Sequence, residues 1–183
     1  MRTFVVLIRG INVGSTRKLP MAELRALCTE LGLAKPETYI QSGNLVVDAT
    51  GDAKHLRDLL EKELGAKYAF PIHLAVREAR DWAKIIEANP FAGDANALGK
   101  MVHLCLTRET LKASAAHDLR ERAKAGERIE QVDGNLWIDY ADSGIADSKL
   151  TPATIDKACG SPATGRNLNT LLKIQEMIDA RSG

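Results

Sequence analysis

Two distant stretches of the chain carry the same six-residue pattern. Gly43-Asn44-Leu45-Val46-Val47-Asp48 and Gly134-Asn135-Leu136-Trp137-Ile138-Asp139 match in order and residue type. In each, glycine supplies the positive φ that a tight turn needs, and the apolar run after it reads as a strand. Hairpins often turn on Gly and Asn, so the dipeptide alone says little. The constraint comes from context, because each copy comes after the same β-α-β order. We read the chain as an internal duplication.

The first half can be traced element by element. Thr3 to Arg9 is rich in β-branched residues and predicts a buried strand. A loop of Gly, Asn, Ser and basic residues runs from Gly10 to Lys18. Pro20 suits the first turn of a helix whose apolar face carries Met21, Leu24, Leu27, Cys28 and Leu31, and which Gly32 ends. Glu37 to Gln41 and Asn44 to Asp48 form a hairpin about Ser42-Gly43. Asp52 caps a second helix bearing Leu56, Leu59, Leu60 and Leu64, and Ile72 to Val76 closes the set as a strand.

This β-α-β-β-α-β order is that of the ferredoxin-like fold. A helix with Trp82, Ile85 and Ile86 comes next, then a linker up to Gly99. The second half restarts with a strand from Lys100 to Thr107. Thr107 is placed to cap a helix holding Leu111, Ala115 and Leu119, and a hairpin turns at Asp133-Gly134. Two helical segments then stand where a closing strand is expected. The expected architecture is therefore α+β, with two tandem ferredoxin-like halves. Residues 1–77 form the first and 78–99 connect. Residues 100–183 form the second, lacking its last strand and ending in helices.

The chain has 183 residues, with 25 Lys plus Arg against 24 Asp plus Glu. That balance gives no support for broad electrostatic binding to duplex DNA, so any anion site must be local. Aromatic residues are 4% of the chain. Both faces of the first strand are apolar, which argues against a sheet platform for stacked bases. Cys28, Cys105 and Cys159 show no metal or disulfide spacing and read as small buried hydrophobes in a reducing, cytoplasmic compartment. The apolar run from Phe4 to Ile8 is too short to span a bilayer, and no membrane partner, cofactor or metal is expected. Asp139 and Asp142 are conceivable metal ligands, but carboxylates at a strand end are more often solvated.

Arg9-Gly10-Ile11-Asn12-Val13-Gly14, Met21 to Leu24, and Thr38-Tyr39-Ile40-Gln41-Ser42-Gly43-Asn44 resemble an uncharacterised bacterial family, domain of unknown function 1697. Ser148-Lys149-Leu150 and Thr164-Gly165-Arg166-Asn167-Leu168-Asn169-Thr170 resemble its second signature. The sequence departs from the family at Ser15, where another Gly is usual, and at Leu168, where an aromatic is usual. The resemblance implies a two-part α+β fold and no established activity.

The fold reading places the loop after the first strand beside the first hairpin. Arg9, Asn12, Arg17, Gln41, Ser42 and Asn44 then share one rim, with Lys18 adding charge. Glycines let backbone N–H groups approach an anion closely there. A second cluster, Ser148, Lys149, Thr164, Arg166, Asn167 and Asn169, lies around the late helix starts, where anions are favoured but capping is the plainer role. The functional expectation is a small phosphate- or carboxylate-bearing ligand held in a cleft between the halves, the reaction being unknown. The alternative is a non-catalytic module for single-stranded nucleic acid or a protein partner. No catalytic set is legible. His55, His73, His103 and His117 lie outside both signatures, and Ser148 and Lys149, as neighbours, point apart.

Overall fold

The computed structural model describes residues 1–68, 70–141 and 144–181. It is α+β, with two four-stranded antiparallel sheets and seven α-helices among the described residues. The chain divides into two compact units, Met1–Ala83 with Ile174–Gly183, and Lys84–Lys173. None of the described helices is long and apolar enough to cross a membrane.

The first unit runs β1 (Arg2–Ile8), α1 (Met21–Glu30), β2 (Ala34–Tyr39), β3 (Asn44–Ala49), α2 (Ala53–Lys67) and β4 (Leu74–Glu78), with a 3-10 turn at Ala79–Asp81 after them. Its sheet order is β2-β3-β1-β4. Alternate residues of β1 divide between two faces. Phe4, Val6 and Ile8 join Leu45, Val47, Leu24, Leu27, Leu56, Leu60 and Leu64 in the core beneath the helices. Val5 and Leu7, on the opposite face, are equally buried. Asp52 accepts from the His55 N–H and caps α2 as expected.

The boundaries of the first hairpin move. β2 starts earlier than Glu37, at Ala34, and a bulge between Ala34 and Glu37 absorbs Pro36. An edge strand tolerates proline because one side of its backbone needs no ladder partner. β2 also stops at Tyr39, so the connection is the four residues Ile40 to Gly43 rather than a two-residue turn. Pro20 lies just outside α1 as its N-cap, not inside it.

α3 (Trp82–Glu87) passes from the first unit into the second, and α7 (Leu168–Asp179) begins in the second and returns to the first at Ile174. Between them the second unit runs β5 (Val102–Thr107), α4 (Ala115–Arg120), β6 (Arg128–Val132), β7 (Asn135–Asp139), α5 (Gly144–Asp147), α6 (Pro152–Cys159) and β8 (Ala163–Asn167). Its strand order, β6-β7-β5-β8, repeats that of the first sheet. The expectation that this half lacks its closing strand is overturned, since β8 pairs antiparallel with β5 from His103↔Asn167 to Thr107↔Ala163. Its sequence, Ala-Thr-Gly-Arg-Asn, hides the strand because polar side chains fill buried positions: Thr164 and Arg166 are both buried. Thr107 does not cap a helix either. It ends β5, its hydroxyl donates to the Glu109 carbonyl at 2.6 Å, and α4 begins only at Ala115.

Candidate functional site

The rim of the first unit is built from three chain segments. The Ile8 N–H donates to the Gly43 carbonyl at 2.8 Å and the Arg9 N–H to the His73 carbonyl at 3.0 Å. These bonds carry the sheet's ladder into the loops. Asn12 then joins loop to hairpin. Its Nδ2 donates to the Leu19 carbonyl at 2.9 Å and the Gln41 carbonyl at 2.8 Å, and its Oδ1 accepts from the Leu19 N–H at 2.9 Å. Both amide hydrogens are thus committed to backbone, so the side chain works as a staple and not as a ligand donor.

Asn44 has a similar task. It is fully buried, and its Nδ2 donates to the Tyr39 carbonyl at 3.0 Å and Ser42 Oγ at 3.1 Å, closing the hairpin loop. Gly43 is required here. Its φ is +79°, and an added Cβ would lie 2.8 Å from Ile8 Cβ and 2.7 Å from Ile11 Cδ1. Gln41 is exposed and contributes its carbonyl to Asn12. Arg17 and Lys18 are exposed, and Lys18 Nζ reaches the Gly14 carbonyl at 3.3 Å. Arg17 has a φ of +53°, and its guanidinium lies over Gly10.

The remaining predicted residues belong to the second unit, and most are occupied structurally. Ser148 Oγ donates to Glu127 and accepts from the Leu150 N–H at 3.1 Å. Burial opposes ionisation of Glu127. Hydrogen bonds from Ser148 and from the Ala125, Glu127 and Lys124 backbone outweigh it and hold the carboxyl below its ordinary value. Thr151 Oγ1 accepts from the Thr154 N–H and caps α6, and Asn167 Oδ1 accepts from the Thr170 N–H at the start of α7. Lys149 and Asn169 are exposed, with the Asn169 amide beside Gly99. Asp139 is held by Arg128, and Asp142 lies outside the described residues.

Arg166 is different in kind. It is buried, donating to Thr164 Oγ1 and the Gly165 carbonyl, both at 2.8 Å. Burial pushes its guanidinium down to about 10. The first unit has an equivalent that the sequence did not reveal. Arg166 sits opposite Leu104, which pairs with Trp137; Arg77 sits opposite Val5, which pairs with Val46. Arg77 also donates to the carbonyl of the residue before it, and burial lowers its pKa too. The duplication thus extends to a charged residue on the last strand of each sheet.

Two rim residues went unnoticed in the sequence because neither is polar. Val13 is 70% exposed and Ile40 52%. Ile40 also has a φ of +48°, an outlier for a β-branched side chain. The available signal was an isoleucine inside a turn, where loop chemistry favours Gly, Asn or Asp. His103 is a structural histidine. Its Nδ1 lies 3.0 Å from the Met101 carbonyl, its ring meets Tyr140 edge-on, and burial holds its pKa down.

The chain belongs to the family described as protein of unknown function (DUF1697), whose signature matches residues 1–137. Among solved structures it is similar to the conserved bacterial protein SP0830 from Streptococcus pneumoniae. The two share 25% identity over 96% of this chain and 98% of that one, with a TM-score of 0.75. No curated protein matches.

Proposed function

We propose that this protein binds a small phosphate- or carboxylate-bearing ligand at the loop rim of its first unit, on a ferredoxin-like scaffold. One observation carries the reading. The three segments joined at the rim contain no carboxylate. Arg9 to Ala22 holds two arginines and a lysine with no Asp or Glu, and neither Thr38 to Val47 nor Phe70 to Val76 has an acidic residue. In a chain whose charges otherwise balance, this is a local positive field. An anion gains there from both side-chain charge and the loop's backbone donors.

The rest of the structure supports a ligand at the loops rather than on the sheet. Val5, Leu7 and Val46 are buried, so the sheet offers no open platform for stacked bases. The three cysteines are free and buried, with burial raising each thiol to about 12, which suits a reducing, cytoplasmic setting.

The test is a thermal-shift series with inorganic phosphate, nucleotides, sugar phosphates and carboxylates. A true ligand at a hundredfold excess over its dissociation constant stabilises by about 2.7 kcal/mol. That shift should vanish in the double variant Arg17→Gln/Lys18→Gln. No shift with any anion, or an unchanged shift in the double variant, sinks the reading.

A further inference from the structure

The anion rim also carries two exposed aliphatic side chains, Val13 at 70% and Ile40 at 52%. Val13 comes directly after Asn12 and Ile40 directly before Gln41, and Asn12 Nδ2 is bonded to the Gln41 carbonyl. Both residues therefore flank the seam where loop and hairpin meet, and the Asn12 N–H donates to the Arg17 carbonyl at 3.0 Å, which brings the cationic end of the loop to the same seam. Ile40 is unfavourable twice over. Its positive φ costs about 1–3 kcal/mol for a non-glycine residue, and its side chain is 52% exposed to water.

We propose that this rim is a contact site for an anionic phospholipid surface, with Arg17 and Lys18 meeting headgroup phosphates and Val13 and Ile40 entering the acyl boundary. The proposal rests on the reading of the rim as an anion site and gives that anion a source. Small-molecule sites are concave and enclose their ligand. Val13 and Ile40 are instead exposed to water beside the rim cations' loop, which suits a deformable apolar phase flanked by negative charge. The aromatic side chains of the rim segments, Tyr39 and Phe70, are only partly exposed, so they offer the bases of a nucleic acid less stacking surface than an open platform would. No membrane partner was expected from the sequence, and the proposal departs from that expectation, which was argued from the shortness of the apolar run Phe4 to Ile8. Peripheral contact through two loops makes a different physical demand.

Sedimentation of the full chain with phosphatidylcholine vesicles, with and without phosphatidylglycerol, tests this. Binding is expected only with phosphatidylglycerol and should weaken as salt rises. Arg17→Gln and Lys18→Gln should each lower it about fivefold, near 1 kcal/mol per cation. Ile40→Asn should lower it roughly tenfold by removing the inserted apolar group. Asparagine tolerates positive φ, so the folded state of that variant should be at least as stable as the parent, and thermal melting checks this. Absence of binding to either vesicle overturns the proposal. So does unchanged binding of Ile40→Asn, or tighter binding of a single-stranded oligonucleotide than of vesicles. A small-anion thermal shift that depends on Arg17 and Lys18, seen without vesicle binding, leaves the anion site standing and removes the lipid. Loss of both removes both.

Discussion

The two units are built on one plan and differ most at the rim. Arg9 and Arg108 occupy equivalent places: the Arg9 N–H donates to the His73 carbonyl and the Arg108 N–H to the Pro162 carbonyl, each at 3.0 Å. Their next residues diverge. Arg108 precedes Glu109 and forms an ion pair with it. Arg9 precedes Gly10 and a long loop without carboxylates. The hairpins diverge in the same way. Asp133-Gly134, with φ of +48° and +73°, makes a two-residue turn carrying a negative charge. Ile40 to Gly43 makes a longer, uncharged one. The second unit has thus neutralised the rim that the first has lengthened and left positive. The shared plan is scaffold, and the divergence is where a ligand can be read.

The largest expected effect separates the two hairpin glycines. Gly43→Ala meets both a positive φ and the Ile8 and Ile11 side chains, whereas a Cβ at Gly134 meets nothing within 4 Å. Gly43→Ala should cost roughly 2–5 kcal/mol from strain plus overpacking. Gly134→Ala should cost about 1–2 kcal/mol from conformation alone. Urea unfolding of both variants measures the gap. Equal costs would mean that the first hairpin is not pinned against β1 as described.

Next in size is the chemistry that fixes each unit's loops. The first unit uses an amide, Asn12, and the second a carboxylate–hydroxyl pair, Glu127 with Ser148. Asn12→Ala leaves the Leu19 N–H and two carbonyls without this partner and should cost about 1–3 kcal/mol at any pH. Ser148→Ala should cost about 1–2 kcal/mol at neutral pH. Here pH matters, because the folded pKa of Glu127 lies below its ordinary 4.5. Its stabilising contribution is complete above the unfolded value and is lost as pH falls through the folded one. The Ser148→Ala penalty should therefore shrink in acid while the Asn12→Ala penalty stays constant. Denaturant melts at neutral pH and at a series of acid pH values carried below the lowered folded pKa of Glu127 compare the two.

The same contrast explains what could be read from the sequence. The repeated Gly-Asn-apolar-Asp hairpins and the amphipathic helices were legible because each arises from local periodicity and turn chemistry. β8 was not, because its buried positions carry Thr164 and Arg166, and a strand with a buried arginine has no apolar alternation to detect. Asn12 and Asn44 were found as rim residues, but their use as staples depends on carbonyls distant in sequence, such as Gln41 for Asn12. Arg77 was missed because its significance lies in matching Arg166 across the duplication, which only the register exposes. Val13 and Ile40 were missed because apolar residues in a loop resemble ordinary packing until their exposure is known.

The smallest expected effect tests the rim comparison directly, by making one unit resemble the other. Ser42 lies in the first hairpin turn, as Asp133 does in the second. Ser42→Asp would place a carboxylate among the rim cations, and an Asp oxygen can still accept from Asn44 Nδ2, so the hairpin clasp survives. One added negative charge a few ångströms from a bound anion, near water, costs about 1 kcal/mol. Anion affinity should therefore fall about fivefold, and raising the salt should shrink that difference, because exposed charges are screened. The converse variant, Glu109→Gln with Asp133→Asn, removes the neutralising carboxylates of the second unit. It should not create an equivalent site, because that unit lacks the long cationic loop and its Asn12 staple. Titration of both variants with the anion that stabilises the parent would decide the matter. If Ser42→Asp binds as the parent does, charge at the rim is not what distinguishes the two units. If the converse variant gains a second site, net charge alone is sufficient, and the loop elaboration of the first unit serves some other end.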